Sequence, residues 1–540
     1  MKKNEFSILD GEKWWGGVVQ HSALMPFTAE TNYRVDLSDV FTNNQVNPLF
    51  ISDKGRFFGS KNSFSVEFSS GKITVEGSDV VFGCENDMKA AYGKISELFF
   101  NRSSSAPPDI LFTAPSYNTW ISLGYDQTED GILSYAQSVI DAGLPAGELI
   151  IDCGWQEYYG KWDFHPGKFK DPCGMIKKLH SMGFKIVLWY IPFVSSDSEM
   201  GREYSKRDLL IKNNNGKPYL AEWWDGYSFV LDFTNPETIN EFEKITDALF
   251  EKYGIDGIKQ DGGDLYFYSK DSICYGSSLP EKQCASYTRE AERFSFNELR
   301  SCCGEGGRSI IMRTADRHHS WDAENGLKSL IPICLLQGLL GYSFNCPDMV
   351  GGGDLGNFLL HGNCLDEELF IRYCQIAAFM PVLQVSFDFW RRLSENISEI
   401  CKAYCTLRCR LSSVFTKLKN RAYYDFVPMA ALPEYLGGDY FTFSRDVFFF
   451  SEDVLVAPIT EKGKTYRNIF LPKGNWLYYG KKLQGDREYI VAAPLHVLPV
   501  FEREGSGINI HESITGILPE YDFTLSTEFI NERSLLLKNG

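Results

Sequence analysis

The sequence lacks an apolar run long enough to cross a membrane. A transmembrane helix needs about 18 or more largely apolar residues, and no stretch of the chain approaches that length. The first residues, MKKNEFSILDGE, also lack the apolar core of a signal peptide. We therefore expect a cytoplasmic protein whose fourteen cysteines are reduced thiols, because disulfides are rare in that compartment.

Positive charge is also scarce. The 54 Lys and Arg residues are outnumbered by 71 Asp and Glu residues, which leaves a net charge of −17. Nucleic acids and anionic membranes attract basic surfaces, so neither is an expected partner. No glycine-rich phosphate loop occurs between a predicted strand and helix, and a nucleotide cofactor is therefore not expected. The sequence leaves a homo-oligomer open.

Metal-ligand spacing is missing as well. The doublet His318-His319 adjoins Asp316, but neighbouring residues on an extended segment point in opposite directions. Cys401, Cys405 and Cys409 share one face of a predicted helix, and no histidine lies near them in sequence to complete a site. We interpret the three cysteines as small apolar residues, and we expect no metal and no cofactor.

The hydrophobic pattern divides the chain into three parts. Residues 1–115 show short alternating runs such as SFSVEF and KITVE between Gly, Asn and Ser turns, which predicts a β-sandwich domain. Residues 116–420 alternate strands with helices, which predicts a parallel sheet. Residues 421–540 return to short strands and predict a C-terminal β-sandwich region. The number of strand–helix units favours a (β/α)₈ TIM barrel over an open sheet.

Eight strands and four of the helices between them are predicted for the central part. The strands are 120–126, 148–155, 185–194, 227–235, 256–261, 308–316, 342–348 and 381–388, with 227–235 as a candidate for an insertion because the loop before it is long. The helices are 130–142, 236–253, 287–302 and 367–379.

Carboxylates stand at the ends of five predicted strands: Asp126, Asp152, Asp261, Asp316 and Asp348. In a barrel all of these ends meet at one face, where barrel enzymes carry their chemistry. A single Asp at such a point is often only a helix cap, but five on different strands favour a common functional site. Paired carboxylates are typical of glycoside hydrolysis, in which one attacks the sugar and the other protonates the leaving oxygen.

The neighbours of these acids fit that chemistry. Lys259 lies two residues before Asp261, points the same way along the strand and would keep the nucleophile ionised. Arg313 and Arg317 flank Asp316, and a charged Asp261 nearby could offset them. Aromatic residues that could stack on a sugar fall at or after strand ends: Trp155, Trp189, Trp223, Trp224 and Trp321.

The chain resembles glycoside hydrolase family 31 over most of its length. The resemblance is carried by WWGG and MPF near the start, LIID at 149–152, MGFK at 182–185, DGIKQDGGD at 256–264, PDMVGG at 347–352, and IFLPKGNW at 469–476. The family match implies a barrel between two β-rich parts. It also implies that Asp261 is the nucleophile of a retaining α-glycosidase.

Three stretches differ from the common α-glucosidase pattern of that family. Trp321-Asp-Ala-Glu324 stands in place of Trp-x-Gly-Asp, Gly262-Gly-Asp264 replaces a Met-Asn-Glu tail, and Gln384-Val-Ser386 replaces Arg-x-His. The run Arg313-Thr-Ala-Asp316-Arg317 is instead similar to the myogenesis-regulating glycosidase and bacterial α-galactosidase branch. That resemblance implies Asp316 as the acid/base, with Asp322 and Glu324 as alternatives.

The sequence therefore predicts a retaining, exo-acting α-glycoside hydrolase that acts on small oligosaccharides or other α-glycosides. The branch favours α-galactosides and leaves α-glucosides open. Asp261 and Asp316 are the predicted catalytic pair, and the predicted substrate-binding residues are Asp152, Trp155, Trp189, Trp224, Lys259, Arg313, Trp321 and Asp348. The alternative of another class is a barrel that has lost catalysis and binds sugars as a regulatory module.

Overall fold

The computed structural model describes residues 2–268, 272–277, 279–362, 364–437 and 445–523. Its N-terminal part contains two four-stranded antiparallel sheets, in the orders β1-β7-β6-β3 and β2-β4-β5-β8. The strands are β1 Lys2–Ser7, β2 Trp14–Val18, β3 Tyr33–Asp36, β4 Val46–Ser52, β5 Arg56–Gly59, β6 Ser65–Ser69, β7 Lys72–Gly77 and β8 Val81–Cys84. Alternating residues of β6 and β7 are buried, and ring contacts such as Phe50–Phe68 join the two sheets. The predicted β-sandwich is therefore present.

The central part is an eight-stranded parallel sheet in the order β20-β19-β18-β17-β13-β10-β9-β21. The strands are β9 Ser116–Asn118, β10 Glu148–Ile151, β13 Lys185–Tyr190, β17 Gly257–Gln260, β18 Phe296–Leu299, β19 Met312–Arg313, β20 Asn345–Cys346 and β21 Gln384–Val385. Hydrogen bonds from the Val382 amide to the Asn345 carbonyl, 3.0 Å, and from the Val350 amide to the Gln384 carbonyl, 2.8 Å, close the sheet into a barrel. Apolar runs such as Leu149–Ile151 are buried on both faces, as in other parallel sheets.

Helices cover the outside of the barrel. Their bounds, with α1 from the N-terminal part, are α1 Met88–Phe99, α2 Ile110–Thr113, α3 Trp120–Leu123, α4 Glu129–Asp141, α5 Pro172–Ser181, α6 Glu199–Lys206, α7 Pro236–Tyr253, α8 Pro280–Glu290, α9 Leu330–Leu339, α10 Leu355–His361, α11 Glu367–Ala377, α12 Phe389–Arg392, α13 Glu395–Arg410 and α14 Ser412–Asp425. Short 3₁₀ turns lie at Val19–Leu24, Leu265–Phe267, Tyr275–Ser277, Ala291–Arg293, Leu327–Ser329 and Pro433–Leu436.

Helix α7 shows why the sequence signals work. Asn235 caps its first turn by accepting a hydrogen bond from the Glu237 amide, and Pro236 occupies the first helical position. The helix ends at Gly254, whose φ of 72° is left-handed and suits glycine. The predicted bounds, 236–253, are confirmed.

Two further groups of strands extend the barrel loops. An antiparallel hairpin joins β11 Gln156–Tyr158 and β12 Lys161–Phe164, and a three-stranded antiparallel sheet joins β14 Phe193–Ser195, β15 Leu220–Trp223 and β16 Gly226–Val230. The predicted strand at 227–235 therefore belongs to an insertion after β13 and not to the barrel.

The C-terminal part is β-rich. It contains a five-stranded sheet, β22-β23-β28-β25-β26, and a two-stranded sheet, β24-β27, which share a core around Trp476, Leu471 and Val491. The elements are β22 Phe448–Ser451, β23 Val454–Val456, β24 Tyr466–Leu471, β25 Asn475–Tyr478, β26 Lys481–Gln484, β27 Arg487–Ala492, β28 Val500–Arg503 and α15 Ile510–Thr515. The predicted domain boundaries at 115 and 420 stay predictions.

Two predicted elements are wrong. The first barrel strand is β9, and the segment predicted as that strand begins with helix α3, because the Asn118 side chain accepts a hydrogen bond from the Trp120 amide and turns the chain there. The helix predicted at 287–302 ends earlier, at the turn Ala291–Arg293, and its second half is barrel strand β18. This polar segment has helical spacing, but it forms a strand because it pairs with β17 on one side and with β19 on the other.

Within the described ranges, no helix combines the length and the apolar character that a membrane span requires.

Candidate active site

A cavity of about 720 Å³ opens beyond the carboxyl ends of the barrel strands. Its wall combines acids, cations and aromatic rings, as a site for a polar ring-shaped ligand requires. The lining residues are Asn43, Trp120, Tyr125, Asp152, Cys153, Trp189, Trp224, Lys259, Asp261, Tyr266, Arg300, Arg313, Asp316, His318, Asn325, Met349, Asp354, Leu355, Gly356 and Leu359.

Asp261 follows β17 and is held by donors on both carboxylate oxygens. The Gly262 amide donates to Oδ1 at 2.9 Å, and the indole Nε1 of Trp189 donates to Oδ2 at 3.0 Å. Arg300 Nε lies 3.3 Å from Oδ1. Burial would raise the pKa of Asp261, but the charges of Arg300, Lys259 and Arg313 outweigh it and hold the pKa below its usual range. The carboxylate is therefore ionised and oriented, as a nucleophile must be.

Lys259 lies in a buried ion network at the bottom of the cavity. Its Nζ is 2.7 Å from Asp152 Oδ2 and 3.8 Å from Glu298 Oε1. Burial lowers the pKa of Lys259, but Asp152 and the other acids more than compensate and raise it above its ordinary value. The lysine is therefore a fixed positive charge next to Asp261.

Asp316 stands in the loop after β19, on the same cavity. Arg313 Nη1 lies 2.6 Å from Asp316 Oδ1, and about a third of the Asp316 side chain, 35%, is exposed. The carboxylate therefore faces the space that a ligand would occupy, with one oxygen anchored by the guanidinium.

Arg313 connects three acids behind the cavity wall. Besides Asp316 it contacts Asp348 Oδ1 at 2.8 Å and Glu298 Oε1 at 3.1 Å. Gln384 of β21 donates to the other oxygen of Glu298 at 2.5 Å. Gln384, which stands at the first position of the stretch that replaces the Arg-x-His motif, thus takes part in this buried network.

Asp348 does not reach the cavity, contrary to its predicted role in binding sugar hydroxyls. Its side chain is fully buried and accepts hydrogen bonds from the Arg317 amide, 2.6 Å, and the Gly353 amide, 2.8 Å. Burial raises the pKa of Asp348 to about 6, against the attraction of Arg313. A Cβ on Gly353 would lie 2.6 Å from Asp348 Oδ1, so glycine at this position lets the backbone approach the carboxylate closely.

Of the five predicted strand-end acids, the cavity collects Asp152, Asp261 and Asp316. Asp126 is exposed and outside the lining, because helix α3 separates it from the end of β9. The alternative acids Asp322 and Glu324 are also outside it. Asp322 Oδ1 accepts the backbone amides of Glu324, Asn325 and Gly326, which makes it a turn residue.

Two of the four predicted binding tryptophans line the cavity, Trp189 and Trp224. Trp155 is fully buried behind Trp189, where its indole donates to the Trp189 carbonyl at 2.9 Å. Trp321 turns away from the lining and donates to Asp366 at 2.9 Å. A position after a strand end is therefore not sufficient to place a tryptophan ring in the cavity, because the loop conformation determines which way the ring points.

Arg300 and Asp264 are the main site residues that the sequence pattern does not reveal. Arg300 follows β18, lies 3.0 Å from Asp264 Oδ2 and places its guanidinium 5.1 Å from the centre of the Trp224 ring. Its position is hidden in the sequence because the β18 segment has the spacing of a helix. Asp264, which closes the DGGD run, is fully buried, and burial raises its pKa to about 6 despite Arg300.

The rim of the cavity comes from other parts of the chain. Asn43 reaches it from the N-terminal sandwich, Tyr266 from the 3₁₀ turn after β17, and Leu355 and Leu359 from α10. These residues carry no motif, and their sequence distance from the barrel strand ends gives no indication of a shared site.

Comparison with known proteins places this fold and site in a family. Residues 111–418 match the TIM-barrel domain of glycosyl hydrolases family 31, and residues 431–508 match the C-terminal domain of the same family. Among curated proteins, the mouse (Mus musculus) myogenesis-regulating glycosidase is 30% identical over 407 residues, covering 74% of this chain and 57% of the relative. Alpha-glucosidase 2 of Bacillus thermoamyloliquefaciens is 27% identical over 443 residues, covering 74% and 54%.

A solved structure, the family 31 dextranase of Flavobacterium johnsoniae complexed with glucose, superposes with a TM-score of 0.80 at 19% identity. The match covers 93% of this chain and 66% of that one, and it concerns the fold alone. The chain thus spans a little over half the length of the two curated relatives. Because the match to the family's barrel domain covers more than half of the sequence, the chain belongs to glycosyl hydrolase family 31.

Proposed function

We propose that this chain is a retaining, exo-acting α-glycoside hydrolase whose substrates are α-galactosides. The observation that carries the proposal is that Asp261 and Asp316 line the same cavity, the first ionised, held by two hydrogen-bond donors and next to the Arg300 guanidinium, the second facing the ligand space. Family membership supports the reaction class.

In the first step Asp261 attacks the anomeric carbon. The donors on its two oxygens fix the direction of the attack, and the charges of Lys259 and Arg300 keep the carboxylate ionised. At the same time Asp316 in its acid form donates a proton to the glycosidic oxygen, and the aglycone departs. The product of this step is a galactosyl ester of Asp261.

In the second step Asp316, now a carboxylate, removes a proton from water as the water attacks the anomeric carbon. The bond to Asp261 breaks, and the sugar leaves with its original configuration. Arg313 contacts Asp316 at 2.6 Å and would stabilise the carboxylate that exists between the two steps. The buried acids Glu298 and Asp348 hold Arg313 in that position.

The preference for galactose rests on the resemblance of the run Arg313–Arg317 to the branch that includes bacterial α-galactosidases. The mouse relative, at 30% identity the more similar of the two described above, is named a glycosidase without a stated sugar. Asp152 would accept a hydrogen bond from a ring hydroxyl, and Trp189 and Trp224 would flank the sugar ring. An α-glucosidase is the second candidate, since the Bacillus relative bears that name. Epimers differ by one hydroxyl, and a site built to bind that hydroxyl can separate them strongly.

The test is turnover of 4-nitrophenyl α-galactoside and α-glucoside by the purified chain, with the anomer of the first product followed by NMR. We expect release of α-galactose, faster turnover of the galactoside, and loss of activity by at least about 100-fold in Asp261→Asn and Asp316→Asn. Asp322→Asn, the same change six residues along the chain, is the matched control and should retain activity.

Each alternative has its own outcome. Preference for the glucoside would establish the second candidate. Loss of activity in Asp322→Asn with retention in Asp316→Asn would move the acid role to Asp322. A wild-type protein that binds galactose but hydrolyses no α-glycoside would refute the proposed enzymatic activity and favour a sugar-binding module.

A further inference from the structure

The segment between β3 and β4 of the N-terminal sandwich is inserted against the barrel loops. Thr42, Asn44 and Gln45 are polar but nearly inaccessible, with 3%, 3% and 0% exposure. The Val46 amide donates to the Cys302 carbonyl at 2.9 Å, and the Gly304 amide donates to the Val46 carbonyl at 2.8 Å. Buried polar side chains need partners, and Asn44 and Gln45 find theirs in the loops that carry Arg300 and Asp316.

Gln45 connects the ends of two barrel strands. Its Nε2 donates to the carbonyl of Arg300, just after β18, and to the carbonyl of Arg313, the last residue of β19, at 3.0 Å. Its Oε1 accepts from Gln337 Nε2 at 2.9 Å. One side-chain amide therefore sets the separation of the two loops that flank the cavity.

Asn44 acts on the residue immediately before the proposed acid. Its Oδ1 accepts a hydrogen bond from the Ala315 amide at 2.8 Å, and its Nδ2 donates to Gln20 Oε1. The carbonyl of Ala315 is held by Arg317 Nε at 2.6 Å. Both peptide groups of Ala315 are thus anchored, and Ala315 itself is fully buried, so the Asp316 backbone has little freedom to shift.

We infer that Asn44 is a positioning residue for proton transfer by Asp316, and that the N-terminal sandwich thereby takes part in the acid step. The inference rests on the proposed acid role of Asp316. A general acid must lie within about 2.6–3.2 Å of the oxygen that it protonates, and a displacement of about 1 Å can cost on the order of 100-fold in rate. Loss of the Asn44 contact would free the Ala315 amide and let Asp316 move by this amount.

Leaving-group dependence separates this role from a merely structural one. We would compare kcat/KM for phenyl α-galactoside, whose phenolate needs protonation, with that for 2,4-dinitrophenyl α-galactoside, whose anion leaves unaided. In Asn44→Ala we expect kcat/KM for the phenyl substrate to fall about 10- to 100-fold more than for the dinitrophenyl substrate. A uniform loss on both substrates, or none on either, would overturn the inference.

Asn47→Ala is the matched control. Asn47 lies in β4, directly after this segment, and donates from Nδ2 to the Leu340 carbonyl of the barrel at 2.8 Å, with 6% exposure. Its loss weakens the same domain contact without touching the Asp316 loop, so the ratio between the two substrates should stay at the wild-type value. A shift equal to that of Asn44→Ala would assign the effect to domain docking and overturn the inference.

Two further variants cover the remaining outcomes. If Asn44→Ala does not fold, Gln20→Ala, which removes the partner of the Asn44 amide and a longer contact of 3.5 Å to Arg317 Nη2, should show a smaller shift in the same direction, and no shift would count against the inference. Asp316→Asn tests the proposed function separately. If Asp316→Asn lowers kcat/KM equally on both substrates, the proposed acid role of Asp316 is wrong. If Asp316→Asn affects the phenyl substrate more strongly but Asn44→Ala does not, only the positioning role of Asn44 is wrong.

Discussion

Asp264 allows a quantitative test of the charges around the proposed nucleophile. Its carboxyl group is fully buried and lies 3.0 Å from Arg300 Nη2. Burial raises its pKa to about 6, and repulsion from Asp261 adds to this effect while Arg300 opposes it. Replacement by Asn keeps the shape and removes the titration, so the variant should differ from the wild type in how its stability depends on pH.

The sign follows from proton linkage. In the unfolded chain the carboxyl has its ordinary pKa of 3.8, whereas in the folded chain its pKa is about 6. The folded state therefore binds the proton more tightly, and the stability that this contributes is fully present below about pH 4 and is lost as the pH rises through about 6. Two pKa units correspond to about 3 kcal/mol. The free energy of unfolding of Asp264→Asn, relative to the wild type, should thus rise by about 3 kcal/mol between about pH 4 and pH 7.

The assay is urea unfolding followed by tryptophan fluorescence at several pH values and constant ionic strength. Asp348, whose pKa is also raised to about 6, titrates in both proteins and cancels in the difference. Asp261→Asn is a control of opposite sign, because the pKa of Asp261 is lowered and its contribution is lost only as the pH falls below about 4. A difference between Asp264→Asn and wild type that does not change with pH would refute the reasoning.

Two further changes test the neighbours of Asp261. Trp189→Phe removes the indole donor 3.0 Å from Asp261; a hydrogen bond to a charged group contributes about 1.5–3 kcal/mol, so kcat on the nitrophenyl galactoside should fall about 10- to 100-fold. Trp162→Phe, in the ring cluster next to Trp189, should change kcat less than about threefold, and equal losses would contradict the assignment. Lys259→Met leaves Asp152 and Glu298 without their shared cation and should lower the free energy of urea unfolding by about 3–5 kcal/mol; a loss below about 1 kcal/mol would show that the pair is dispensable.

The convergence of Asp152, Asp261 and Asp316 could be predicted because it follows from topology. Parallel strands of a barrel all end at one face. The run Leu149–Ile151 before Asp152 and the short stretch Gly257–Gln260 that ends at Asp261 and breaks at two glycines mark their strands in the sequence. Lys259 could be placed by the two-residue period of a strand. These local rules depend on backbone geometry and need no knowledge of distant contacts.

Side-chain direction in the loops could not be predicted in the same way. Trp155 and Trp189 both follow or end a buried strand, yet the first is packed behind the second and only the second reaches the cavity. Asp348 is fully buried and is held by backbone amides of Arg317 and Gly353. Such orientations depend on which donors the neighbouring loops supply.

Arg300 could not be predicted for a different reason. The segment that contains it has the polar character and spacing of a helix, and only pairing with β17 and β19 makes it a strand. Local preference is weak compared with the burial and hydrogen bonding that a central strand position provides.

The sequence by itself predicted the barrel, the two β-rich flanking parts and the convergence of strand-end acids, because apolar periodicity and strand ends are local features. The choice of Asp261 and Asp316 as the proposed catalytic pair rests on the family resemblance of the motifs around them. The tertiary structure determined which other residues contact these two acids and their loops. The Arg300–Asp264 pair beside Asp261, and the Asn44 and Gln45 contacts beside Asp316, join residues from separate elements. Asn44 and Ala315 are 271 positions apart in the chain, and only the packing of the sandwich against the barrel brings the side-chain oxygen of the first to the amide of the second.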